Sequence, residues 1–141
     1  MEESSFQFTE PKIEAISFEI NPKFKPTNES IEVNSELGLK IEHGKNINDD
    51  NMEASKVTLN FNIAENDNMP FSISIRISSL FFWERNSYDE NTLKSMLSKN
   101  APALLISYLR PVVASITNWS GNHPYHIPFI NFSNLKLENE E

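Results

Sequence analysis

Runs of strict period-two alternation constrain this chain more than anything else in it. From Ile31 the apolar positions are Ile31, Val33, Leu37, Leu39 and Ile41, with Glu32, Asn34, Glu36, Lys40 and Glu42 between them. Val57, Leu59, Phe61 and Ile63 alternate with Lys56, Thr58, Asn60 and Asn62. Phe71, Ile73, Ile75 and Ile77 alternate with Ser72, Ser74, Arg76 and Ser78. Successive side chains of an extended strand point to opposite faces, so these runs specify a sheet with one buried and one wet face. A run over 13–20 sets Ile16, Phe18 and Ile20 on one face against Ser17 and Glu19 on the other. Pro22 and Pro26 forbid a tight hairpin after it, and the segment 21–28 reads as a crossover. The connectors 44–51 and 65–68 suit hairpin loops.

After Trp83 the period lengthens. Ser87 or Asp89 can cap a short helix that holds Leu93, Met96 and Leu97. A longer helix begins near Asn100, with Pro102 close to its first position, where a missing N–H costs little. Leu105, Tyr108, Leu109, Val112, Ile116 and Trp119 follow at helical spacing. Pro111 implies a kink or a lost bond within it, and Ser120-Gly121-Asn122 ends it. Residues 134–141 begin amphipathic and end acidic. The expected fold is α+β: a four-stranded antiparallel sheet with a crossover connection, then a long helix and a short C-terminal helical segment packed on one face. At 141 residues this is one domain, expected over 8–137, with 1–7 and 138–141 as disordered tails.

Charge and chemistry exclude several functions. Asp plus Glu is 20 against 12 Lys plus Arg, a net −8, which opposes nucleic-acid binding and attraction to anionic membranes. The absence of cysteine removes disulfides, thiolate metal sites and a thiol nucleophile, and favours the cytoplasm. The first residues lack a leader pattern, and no apolar run is long enough to insert in a bilayer. Three glycines make no phosphate loop, and no serine sits in a nucleophile elbow. His123 and His126 lack further ligands near them, and Asp49, Asp50 and Glu53 lack the spacing of a calcium loop. Neither an enzyme nor a metal or cofactor is expected.

Rings are the surplus. Ten Phe, two Trp and three Tyr sit in a chain only 38% hydrophobic. Phe81-Phe82-Trp83 cannot all enter one core, because neighbours in a strand face opposite ways. Tyr125, Phe129 and Phe132 stand among Pro124 and Pro128 on a stiff connector. Apolar surface left outside a core marks interaction sites.

Three stretches then resemble the SecB family, the tetrameric cytosolic chaperones that hold unfolded preproteins for export. Ile16-Ser17-Phe18-Glu19 resembles that family's first-strand motif. Residues 71–81 run without a gap against its fourth strand and end in the same Phe. Residues 101–132 carry Pro102, Leu105, Tyr108, Arg110 and Ser115, then a Pro-rich loop closing in Ile130-Asn131-Phe132. The order of elements agrees over 8–135.

The resemblance implies an ATP-independent holdase that binds non-native polypeptide in an apolar, aromatic groove, in a homotetramer built as a dimer of dimers. It implies client contacts at Phe24, Phe82, Trp83, Ile127, Phe129, Phe132 and Leu135, and oligomer contacts at Ile16, Phe18, Tyr108, Val112 and Ile116. Partners would be unfolded preproteins or one aggregation-prone client. Glu19 matches a residue that docks the export motor SecA, but Ala15 and Ser74 replace its expected acidic companions. Ser78-Ser79 replaces a Gly-Gly, Pro111 interrupts the long helix, Trp119 replaces a basic residue, and the last helix is cut short. The alternatives are a dedicated chaperone of a toxin–antitoxin system, whose weight rises as the acidic face erodes, and a carrier of a small apolar ligand.

Overall fold

A computed structural model describes residues 5–26, 33–45, 51–130, 132 and 137–140. The alternating runs become long strands. β1 (Gln7–Phe8), β2 (Lys12–Ile20), β3 (Ser35–Lys45), β4 (Met52–Ile63) and β5 (Phe71–Glu84) form one antiparallel sheet. Both β1 and β2 lie on the same side of β5, and the path then runs β5-β4-β3. The link from β2 to β3 therefore crosses β5 and β4, which makes it the crossover that the two prolines demanded. β6 (Leu137–Glu140) adds to the far edge of β3 and is parallel to it.

Period-two alternation decides which face is buried. Phe71, Ile73, Ile75, Ile77, Phe81 and Trp83 of β5 and Val57, Leu59, Phe61 and Ile63 of β4 all turn inward. The strict register, with Leu59 opposite Ile77 and Phe61 opposite Ile75, stacks these side chains in rows across the sheet. β2 pairs with β5 through a bulge between Ile13 and Ala15, and this extra residue swings Glu14 onto the wet face.

One continuous helical run covers the inner face. Asp89 caps α1 (Glu90–Ser95) by accepting from the Thr92 N–H, and this bond holds its carboxyl below its ordinary value. A π-turn (Met96–Asn100) follows, with the Ala101 N–H reaching the Met96 carbonyl, and then α2 (Ala101–Trp119). The π-turn sits where Pro102 removes a donor from the ladder, and the helix passes through Pro111 on its exposed side. Leu105, Ile106, Leu109 and Val113 close the core against β4 and β5, and Leu97 of the π-turn closes it on the β3 side. Gly121 ends the run at φ 90°, a conformation that favours glycine.

Three placements differ from expectation. Residues 137–140 form a strand where the sequence suggests the end of a helical segment and a disordered tail, because the outer edge of β3 offers unpaired main-chain groups to an extended chain; the rest of the expected helical segment lies outside the described residues. Phe6, assigned to the N-terminal tail, stacks on Phe81 and Trp83 at ring separations of 5.6 and 5.8 Å. Phe81-Phe82-Trp83 lies wholly inside β5, which runs on past Phe81, where the resemblance ends the strand. Phe81 and Trp83 therefore point into the core, with the Trp83 Nε1–H donating to Glu53, while Phe82 points to the wet face.

Candidate functional site

The apolar side chains left outside the core fall in three places. The first is the β2 edge. Ile13, Ile16 and Ile20 pair with Ile77, Ile75 and Phe71 and so share the core side of the sheet. Yet they are 38, 48 and 57% exposed, because α2 covers β4 and β5 but leaves this edge open. Phe18 is half-buried and stacks on Phe71 at 5.5 Å. Between this edge and the end of α2 lies an open groove of about 510 Å³, lined by Phe18, Ile20, Ile116 and Trp119 with two serines. Trp119 itself is 88% exposed.

The second is the loop that returns along α2. Two helix side chains bind it. The buried Thr117 hydroxyl donates to the Val113 carbonyl and accepts from the Tyr125 N–H at 2.8 Å. Arg110 donates through Nε to the Ile127 carbonyl and through Nη2 to the Pro128 carbonyl, both at 3.1 Å. Ile127 and Phe132 drop into the core, while Phe129 is held out at 91% exposure. Burial pushes the Tyr125 hydroxyl up, with a hydrogen bond to Ser35 acting in the opposite sense. The loop is thus tied to α2 and to the start of β3.

The third is the outer flank of α2. Tyr108 is 42% exposed, and its ring meets Phe8 edge-on at 6.4 Å. Val112 and Ile116 continue the same flank, half-buried. Helical spacing alone merged two stripes here. The core stripe is Leu105, Ile106, Leu109, Val113 and Thr117, and the outer one is Tyr108, Val112, Ile116 and Trp119.

Of the residues assigned to client binding, Phe129 is fully available and Phe24 and Phe82 are half-buried. Trp83, Ile127 and Phe132 are core residues in the single chain. Leu135 lies outside the described residues. These seven do not line one groove, since Phe82 lies on the opposite face of the sheet from Trp83. The residues assigned to oligomer contacts do cluster: Ile16, Phe18, Tyr108, Val112 and Ile116 share the open side of β2 and the outer flank of α2. Trp119 and Ile20 join them. Helical spacing marks Trp119 but does not say to which of the two stripes it belongs.

On the wet face beside β5, one acid is fully paired. Glu14 accepts from Lys56 at 2.8 Å, from Ser78 at 2.7 Å and from Arg76 at 3.1 Å. Lys56 first, then Ser78, holds the Glu14 carboxyl down from an ordinary 4.5 to about 2. Glu19 is exposed on this face beside Ser17, Ser72 and Ser74. Among the described residues no group of three potential metal ligands assembles, and no helix is long and apolar enough to cross a membrane.

Comparison with known proteins places this geometry. The chain's fold is similar to that of the SecB-like chaperone Rv1957 of Mycobacterium tuberculosis, solved with a ChAD peptide from the HigA1 antitoxin. That match has a TM-score of 0.59 at 12% identity, over 89% of this chain and 91% of that one. A Streptococcus agalactiae protein of unknown function matches with a TM-score of 0.54 at 16% identity, over 88% and 97% of the two chains. No curated protein sequence matches. The model of the family described as "Preprotein translocase subunit SecB" matches residues 1–141, and the chain belongs to that family.

Proposed function

We propose that this protein is an ATP-independent holdase that keeps non-native polypeptide from aggregating by offering it fixed, exposed apolar side chains. The observation that carries this reading is Phe129. Its ring is 91% exposed, yet the loop beneath it is pinned by Arg110 and Thr117. A ring presented to solvent on a tethered loop loses little freedom when a client covers it, so more of the burial energy of roughly 25 cal/mol per Å² reaches binding. Contacts that ask for no particular donor or acceptor accept many sequences. Membership of the SecB family supports the same reading.

A chemically denatured polypeptide diluted into buffer with this protein should scatter less light as the protein approaches stoichiometry, without nucleotide. Phe129→Ala should weaken that protection several-fold while leaving thermal stability unchanged. Aggregation that proceeds unaltered at molar excess of the wild type would end the holdase reading.

A second reading narrows the client to one aggregation-prone partner, such as an antitoxin. The eroded acidic strand positions favour it: Glu14 is paired with Lys56 and Arg76, and Ala15 and Ser74 carry no charge, so the acid that shares a cleft with Glu19 is Glu65 of the following loop and not a strand residue. The mycobacterial relative of similar fold, bound to an antitoxin peptide, supports it as well. Under this reading the export motor SecA should show no binding even at low salt, where charge attraction is strongest. Binding that strengthens as salt falls would restore the export role.

A further inference from the structure

β6 occupies only part of the edge it sits on. Its residues pair with β3 at Leu39, Lys40 and Ile41, and the register slips between Leu39 and Lys40, where residue 138 is skipped. Short parallel pairing interrupted by a bulge is the weakest form of strand addition. β3 itself continues to Lys45, held from the other side by β4 down to the pair Lys45–Glu53. Among the described residues no strand lies on the outer side of 42–45, the stretch just ahead of the point where β6 stops. Beside that stretch, on the helix side of the sheet, is a cavity of about 260 Å³. Ile41, Leu93 and Leu97 form its apolar floor, and His43, Glu90 and Lys94 are at its rim. His43 is fixed there by a 2.7 Å bond between its Nδ1 and the Ser55 hydroxyl.

We propose that the outer edge of β3, from Leu39 to Lys45, with the cavity beside its 42–45 end, is a strand-addition site for an extended polypeptide segment, and that residues 137–140 fill half of it in the resting chain. The occupant runs parallel to β3, as β6 does. Its main chain satisfies the edge amides and carbonyls, a recognition that needs no sequence. Because alternate side chains of an added strand face the helix side, one large aliphatic or aromatic side chain enters the cavity over Leu93 and Leu97. This rests on the holdase reading for the identity of the incoming chain, but not for the existence of the edge site. A client must displace β6, whose attachment to the same chain gives it a high effective concentration.

The test is hydrogen exchange of the full chain, followed over residues 37–45, in the wild type and in Leu137→Pro/Asn139→Pro. The prolines remove N–H donors from β6 and should speed exchange at 37–41 while leaving the core strands β4 and β5 protected. A synthetic peptide of residues 133–141, added in trans to this variant, should slow exchange at 39–41 again. Reduced, carboxymethylated lactalbumin should slow it across 39–45 and bind the variant at least three-fold more tightly than the wild type. If neither peptide nor lactalbumin at saturation changes exchange over 37–45, the edge site is wrong. If lactalbumin is held but protects only other segments, the holdase reading stands and this inference falls. If lactalbumin is not held at all but the peptide restores protection, the reverse is true.

Discussion

Glu14 is held by three donors on the wet face of the sheet, and its position depends on one extra residue. The bulge between Ile13 and Ala15 turns its carboxylate toward Lys56, Ser78 and Arg76. A carboxyl whose folded pKa of about 2 lies below its ordinary 4.5 stabilises the fold fully above pH 4.5, and that contribution fades as pH falls toward 2. Lys56 and Arg76 are nearly half exposed, so screening reduces the contribution to about 1–2 kcal/mol. Glu14→Gln should therefore lower stability by about that amount at pH 7, and the gap to the wild type should close by about pH 2 in urea titrations. A gap that stayed constant with pH would mean that packing, not charge, holds this residue. Thr117 makes the matching case in the interior. Thr117→Val keeps the shape but strips the Tyr125 N–H of its acceptor, which should cost about 1–3 kcal/mol, whereas Thr117→Ser should recover most of it. Neither role was legible in the sequence. Glu14 read as one more polar position in an alternating run, since nothing in a list of residues marks where a strand will bulge. Thr117 lay within a helical pattern that was scored only for its apolar members.

Elements were easier to read than their ends. Strand alternation over 57–63 and 71–77 names the core-facing side correctly at every apolar position, because a one-residue slip would reverse all of it, while Thr58 is buried from the other face. The same rule, carried six residues further, also places Phe81 and Trp83 inside and Phe82 outside. Alternation alone divides the three rings between two faces, and which ring goes where follows only because β5 runs unbroken to Glu84. The long helix is legible but its two stripes are not, because Tyr108 and Leu109, three and four residues past Leu105, both count as its face by spacing although they stand about 100° apart around the axis. What binds this helix to the loop after it is also invisible to periodicity: Arg110 reaches seventeen and eighteen residues ahead, to the Ile127 and Pro128 carbonyls. Arg110→Met keeps the aliphatic stem and removes both bonds. Proteolysis within 123–130 should then accelerate several-fold, and client protection should weaken in step with Phe129→Ala, since the ring would no longer be pre-positioned. Unchanged cleavage with weakened protection would show instead that Arg110 touches the client directly.

At the scale of the whole molecule the open side of β2 is the feature that a lone chain leaves unsettled. Ile13, Ile16 and Ile20 stand exposed on the core side of an edge strand, beside a groove that Phe18, Ile116 and Trp119 line. Among the described residues no strand pairs with the outer edge of β2. Long apolar edges aggregate unless something covers them, and the cheapest cover is a second copy related by a two-fold axis, which brings the same patch against itself. The net charge of −8 discourages indiscriminate clumping without masking this edge, so a closed oligomer is the form it favours. We expect the wild type to sediment at a discrete multiple of 16.2 kDa at micromolar concentration. Ile16→Lys combined with Trp119→Glu should shift it toward the monomer. Both positions are exposed in the single chain, so its far-ultraviolet circular dichroism should not change. The dissociated variant should also hold clients less tightly than the intact oligomer even though Phe129 is untouched, because one long client then loses its second and third points of attachment. A variant that stays assembled would move the interface elsewhere. A variant that dissociates yet protects clients as well as the wild type would show that each chain binds its client alone.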